Sequence, residues 1–153
     1  MKADPSANYA RVVVDTNVLL SAALSSGGVP ALLVDQILET GRLVLSEATF
    51  SELETRIWHP KFDRYLPIER RRSILQLVQA AAIWVDISAD LAQRSFSRDA
   101  SDDAFIQVAI AATATRLISG DDDLLCLHPL SLDLGVLHIL TPRQAWEELR
   151  SGG

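Results

Sequence analysis

Arg11-Val-Val-Val-Asp-Thr-Asn-Val-Leu-Leu20 decides the architecture. The three valines favour a strand, and Asp15 stands at its end. From Thr16 or Asn17 the spacing of Val18, Leu19 and Leu20 suits a helix entered through a capping side chain. A strand that runs straight into a helix opens a βα unit. Outward from it, Ser25-Ser-Gly-Gly28 reads as a loop. Pro30 then suits a helix's first turn, and Leu32, Leu33, Ile37 and Leu38 carry that helix to Gly41, a favoured residue just past a helix end.

The rhythm repeats downstream. Leu43-Val-Leu45 reads as a strand, Ser46 as the cap of a helix over residues 47–58, and Pro60 as its stop. Residues 70–82 read as a helix, 83–85 as a strand and 90–96 as a short helix. An alanine-rich helix follows over 102–115, with strands over 116–119 and 136–140 and an amphipathic helix over 142–150 that starts at Pro142. Alternating strands and helices predict an α/β fold with a mostly parallel sheet covered on both faces.

The 153 residues, 48% hydrophobic and 22% charged, suffice for one domain with a substantial core. We expect a single domain over residues 1–153, with 1–10 and 151–153 as poorly ordered tails. No apolar run approaches the ~18 to 20 residues that cross a bilayer, and the opening MKADPSANYA lacks a secretory apolar stretch. The lone Cys126 excludes an internal disulfide and a cysteine-framed zinc site. The expectation is a soluble, cytoplasmic protein with no membrane partner.

A net charge of −6 disfavours nucleic-acid binding through bulk positive potential, yet the charges are sorted. Residues 56–72 carry Arg56, Lys61, Arg64, Arg70, Arg71 and Arg72 against Asp63 and Glu69. Residues 99–123 carry Asp99, Asp102, Asp103, Asp121, Asp122 and Asp123 against Arg116 alone. Solvated faces would explain both.

In parallel sheets catalytic groups gather beyond the carboxyl ends of the strands. Asp15 closes the first strand and Asp121 follows the strand over 116–119, so both fall on one rim. Glu52, on the helix after the second strand, and Asp103, in the first turn of the alanine-rich helix, lie within reach. Each acid also has a structural reading. Asp102 and Asp103 complement a helix dipole, Asp99 or Ser101 caps that helix, and residues 121–123 form a capping turn.

Four segments together resemble the signatures of the PIN domain family: Val14-Asp-Thr-Asn-Val-Leu-Leu20, Ser51-Glu-Leu53, Asp102-Asp-Ala-Phe-Ile-Gln-Val-Ala109 and Ile118-Ser-Gly-Asp-Asp-Asp-Leu-Leu125. Trp58-His-Pro-Lys-Phe62 and Ile139-Leu-Thr-Pro142 are similar to the VapC-like subgroup, toxins of bacterial toxin–antitoxin pairs. The resemblance implies a three-layer α/β/α sandwich, metal-dependent ribonuclease activity, homodimers and a cognate antitoxin partner. Carried over residue by residue, it implies Asp15, Glu52, Asp103 and Asp121 as the catalytic and metal-binding acids, with Asn17 and Ser119 as polar supports. Asp102 and Asp103 compete for the third position, and the downstream Phe-Ile-Gln-Val-Ala favours Asp103. Threonine is frequent in the family where this chain has Ser119.

Clustered carboxylates explain the need for a cation. Two unit charges about 4 Å apart repel by about 4 kcal/mol at an effective dielectric near 20. Hard oxygen ligands select Mg²⁺ or Mn²⁺, with Asp15 and Asp103 expected to bind most directly and Glu52 and Asp121 through water, a second ion or the nucleophile. The expected reaction is hydrolysis of an RNA phosphodiester by metal-activated water, giving 5′-phosphate and 3′-hydroxyl ends. Lys61, Arg64, Arg70, Arg71 and Arg72 are the candidates to hold the RNA backbone; a dimer rim or a solvated helix would also account for them. Trp58, Phe62 and Tyr65 are candidates to stack on bases or to be buried. An aspartyl-phosphate phosphotransfer domain built on Asp15 lacks its usual lysine, since none follows Lys61. A catalytically inactive PIN-like scaffold that binds RNA or a partner is the other alternative.

Overall fold

The computed structural model describes residues 5–133 and 135–151. Among these residues six strands, β1 (Val12–Val14), β2 (Val44–Leu45), β3 (Ile83–Trp84), β4 (Arg116–Ile118), β5 (Leu130–Leu132) and β6 (Gly135–Leu140), form sheets ordered β1-β4-β6-β5 and β2-β3. A parallel bridge between Val12 and Leu43, with the Val12 amide donating to the Arg42 carbonyl at 3.0 Å, joins the two. The combined order is β3-β2-β1-β4-β6-β5, parallel except for β5, which pairs antiparallel with β6. The chain builds outward from β1 in one direction and then returns to its other side as β4. Between β1 and β4 the order reverses, and in open α/β sheets that crevice is where ligands bind.

Side-chain alternation divides the core. Val12, Val14, Leu43, Leu45 and Ile118 face one way and pack against α1 (Thr16–Leu24), α2 (Val29–Glu39), α3 (Glu47–Ile57), α4 (Ile68–Ala81) and α8 (Pro142–Arg150). Val13, Val44, Leu117, Leu137 and Ile139 face the other way, against α6 (Ala100–Ala112) and Leu124 of the short α7 (Asp122–Leu125). The result is the expected three-layer sandwich. Residues such as Leu33, Leu117 and Ile118 have no exposed surface, and truncating a side chain so placed to alanine costs about 2–5 kcal/mol.

The helix ends follow local chemistry. Ser46 and Thr49 form a reciprocal capping box on α3, as do Thr141 and Gln144 on α8, where Pro142 fixes the first turn. Gly41 ends α2 with φ +66°, a conformation that costs glycine little. The helix expected over 102–115 starts earlier, at Ala100 under Asp99, and stops at Ala112 because Thr113 turns left-handed at φ 53°. The short helix expected over 90–96 is α5 (Ala89–Ala92).

Residues 1–10 are not simply a tail. Pro5–Tyr9 form a 3-10 helix, and Tyr9 is buried. Its hydroxyl donates to Glu148 at 2.7 Å, and Glu148 accepts two bonds from the buried Arg116 guanidinium, at 2.8 and 3.2 Å. The expectation for residues 1–4 and 152–153 lies outside the described residues, and Ser151 is the C-cap of α8. Among the described residues no single helix is long and apolar enough to cross a membrane.

Tyr9, β4 and α8 thus meet on one carboxylate. The Arg116 guanidinium bond holds the Glu148 carboxyl below the usual carboxylate range, more than offsetting burial. Glu148→Gln leaves Arg116 buried without its countercharge. We expect a loss of about 2 kcal/mol, read as a lower urea midpoint with an unchanged slope. An unchanged midpoint would refute this anchoring role.

Candidate active site

Asp15 continues β1 by one residue, its amide donating to the Ile118 carbonyl of β4 at 2.9 Å, and its side chain caps α1. One carboxylate oxygen accepts from the Asn17 amide at 3.2 Å and the other from the Ser119 hydroxyl at 2.7 Å. Burial pushes the Asp15 carboxyl up, opposed by these two bonds, while Asp121 adds repulsion and Arg56 offsets some of it. Both oxygens are engaged, an arrangement poorly suited to an aspartyl nucleophile.

Ser119 couples the two sides of the crevice. Its hydroxyl donates to Asp15 and accepts from the Asp121 amide at 2.9 Å. Asp121 caps α7 through the Asp123 amide, also at 2.9 Å. Asp102 faces this pair from the first turn of α6. It is 5% exposed, and its Oδ2 is the one buried side-chain polar atom without a hydrogen-bond partner among the described residues. Burial pushes its carboxyl up to about 7, and contact with Asp121 and the charges of Asp99 and Asp15 add to the rise. One oxygen each from Asp99, Asp102 and Asp123 lie within 4.8 Å of one another. Asp99 is exposed and held below the usual carboxylate range by the Ser101 hydroxyl and amide.

Of the two adjacent acids, the sequence favours Asp103, and the structure gives them different surroundings, with Asp102 set against Asp121 and Asp99. Asp103 Oδ1 accepts from the amides of Phe96 and Ser97, both at 2.8 Å, so this carboxylate ties down the preceding loop. Adjacent helix positions differ by about 100°, so the two carboxylates meet different neighbours. Glu52 adjoins the cluster indirectly. It accepts from the Thr16 hydroxyl at 3.2 Å and pairs with Arg56 at 3.6 Å, while Arg56 also donates to the side-chain oxygen of Asn17. Asp99 and Asp123 were read as capping and turn residues. They are that and more, but their convergence on Asp102 depends on how α6 meets α7, which no local pattern carries.

The basic candidates also divide. Lys61, Arg64, Arg70 and Arg72 are exposed, whereas Arg71 is 3% exposed, donates to the Leu66 carbonyl at 2.8 Å and pairs with Asp63 at 3.0 Å. Arg71 is therefore a structural brace and is withdrawn as an RNA contact. Phe62 is buried, and Tyr65 is 68% exposed. Two of the three histidines spend a ring nitrogen on backbone amides, His59 on Lys61 and His128 on Ile139. Nothing in these contacts provides an imidazole acid–base pair.

An unpartnered buried carboxylate oxygen surrounded by four further acids fits a hard divalent cation. Asp102 would hold it at the centre, with Asp15 and Asp121 on the sheet side and Asp99 and Asp123 on the outer side.

A parallel sheet with an acid-lined rim at its switch point defines the class of protein, and comparison with known proteins gives the family. The PIN domain family model matches residues 11–123, and the chain belongs to that family. PIN domains are generally metal-dependent nucleases. The chain is 32% identical over 144 residues to an uncharacterized protein of Methanocaldococcus jannaschii, MJ1680, covering 90% of each. It also resembles in fold a chain of the crystal structure of VapBC2 from Rickettsia felis bound to a DNA fragment from their promoter. There the TM-score is 0.55 at 16% identity, over 84% of this chain and 97% of that one.

The acid cluster has a pH signature. A carboxyl raised in the folded state contributes stability that is fully present below its ordinary value of 3.8 and lost as pH rises through about 7. In EDTA the melting temperature should fall across that window, and Asp102→Asn should remove most of the fall. Millimolar Mn²⁺ should restore the wild type near neutral pH and leave the variant little changed. Parallel wild-type and variant curves would count against the cluster.

Proposed function

We propose that this protein is a metal-dependent endoribonuclease and the toxin of a toxin–antitoxin pair. The observation that carries the nuclease reading is the buried, partnerless Asp102 oxygen among Asp15, Asp99, Asp121 and Asp123. When bound, Mg²⁺ or Mn²⁺ supplies a polarised phosphoryl group and a more acidic water. The chain supplies the setting. Ser119 fixes Asp15 and the Asp121 backbone together, Asp103 pins the loop before α6, and Thr16 orients Glu52. In the proposed reaction a water oxygen bonds to phosphorus as the bond from phosphorus to O3′ breaks. The water's proton passes to solvent and the departing oxygen takes one up, leaving 5′-phosphate and 3′-hydroxyl ends.

Exposed Lys61, Arg64, Arg70 and Arg72 would position the RNA backbone, with Tyr65 available for stacking. A cognate antitoxin and a homodimer belong to the same proposal, as does action in the cytoplasm. The toxin-like segments at 58–62 and 139–142 support it, and so does the fold shared with a chain of the Rickettsia VapBC2 structure.

End-labelled single-stranded RNA should be cut in Mg²⁺ or Mn²⁺ and spared in EDTA. Asp102→Asn should lower the rate by more than about 100-fold, beyond the 10–100-fold typical of groups that only support metal ligands. Asp103→Asn should lower stability while keeping the melting shift caused by Mn²⁺. Wild-type protein that cuts no RNA with either ion, or an Asp102→Asn variant that cuts normally, would overturn the proposal.

A further inference from the structure

We infer that Arg56 is a substrate-positioning residue, a guanidinium set at the acid rim to hold a phosphate oxygen of the RNA strand; the inference rests on the ribonuclease reading. Arg56 lies one helical turn beyond Glu52 on α3 and is fastened from two sides. Its Nη2 donates to the side-chain oxygen of Asn17, and its Nη1 stands 3.6 Å from a Glu52 oxygen. Both partners border the acids, Asn17 through its amide bond to Asp15 and Glu52 through Thr16.

The side chain remains 36% exposed, and its guanidinium carries five N–H donors in a rigid fork, more than these two contacts consume. An i,i+4 pair at this exposure adds little to stability, so fold maintenance is a weak account of a doubly tethered arginine. Asn17 also lines a cleft of about 240 Å³ with Val18, Ser21, Pro30, Gly120 and Asp121. A strand lying along that cleft would run past Asp121 and past Asn17, the residue whose side-chain oxygen holds Arg56. Oxygens of one phosphodiester would then face a cation bound by the acids, and an oxygen of the same or the next phosphate would face the fork. Of a second arginine at the cluster, Arg98, 83% of the side chain is exposed, and among the described residues its polar contact is to Asp123. It is held from one side only.

The basic segment at 61–72 would supply diffuse attraction, and Arg56 the aligned contact. The test uses full-length protein and a short fluorescein-labelled single-stranded RNA in EDTA, with affinity followed by anisotropy across a salt series. Arg56→Gln should weaken binding and lower the slope of log affinity against log salt by about 0.7, the value for one phosphate on a single strand. Arg56→Lys should recover the slope. Both variants should keep the wild-type melting temperature and its rise with Mn²⁺. Wild-type affinity and slope in Arg56→Gln would overturn the inference, as would loss of the Mn²⁺ shift, which would make Arg56 a brace of the metal site. Wild-type protein that binds no RNA would overturn this inference and the ribonuclease reading together, a result distinct from a silent variant.

Discussion

Carboxylates forced together at the break in strand order are the constraint from which the site follows. Like charges at such distances repel by several kcal/mol unless protons or a cation intervene. Asp102 bears most of this, because it alone combines burial, a partnerless oxygen and acids on two sides. A fold selected for stability alone would place an amide or an apolar group there. The sandwich around it, with β1, β2 and β4 fully buried and side-chain caps on α1, α3 and α6, is what allows so unfavourable a group to stay in position.

Much of the fold is legible because its signals are local. The valines of β1, Gly41 after α2, Ser46 before α3 and Pro142 at the start of α8 each act on their immediate neighbours, and each lies where its chemistry requires. What escapes reading is long-range. Tyr9 looks like part of a polar tail until Glu148, 139 positions away, gives its hydroxyl a partner. Strand β5 has only three residues and exists through pairing with β6.

The site divides along the same line. Asp15 and Asp121 are legible because strand ends fix their place. The choice between Asp102 and Asp103 depends on where the Phe96 and Ser97 amides land, since a carboxylate that finds two backbone donors turns toward them. Arg71 fails as an RNA contact for a related reason. Composition shows its charge, while its burial is decided by the Leu66 carbonyl and Asp63. A cluster of basic residues in sequence is thus a mixture of braces and surface groups, and only packing sorts them.

The structural and chemical readings of the acids turn out to be compatible. Asp15 caps α1, Asp99 caps α6 and Asp121 caps α7, each spending one oxygen on an amide two residues ahead. A capping bond fixes the plane of the carboxylate and so aims its second oxygen. Helix N-termini also favour negative charge, so α1 and α6 offset part of the repulsion that the acids create. Capping therefore places three acids around a fourth that caps nothing, and that fourth acid, Asp102, keeps the free oxygen.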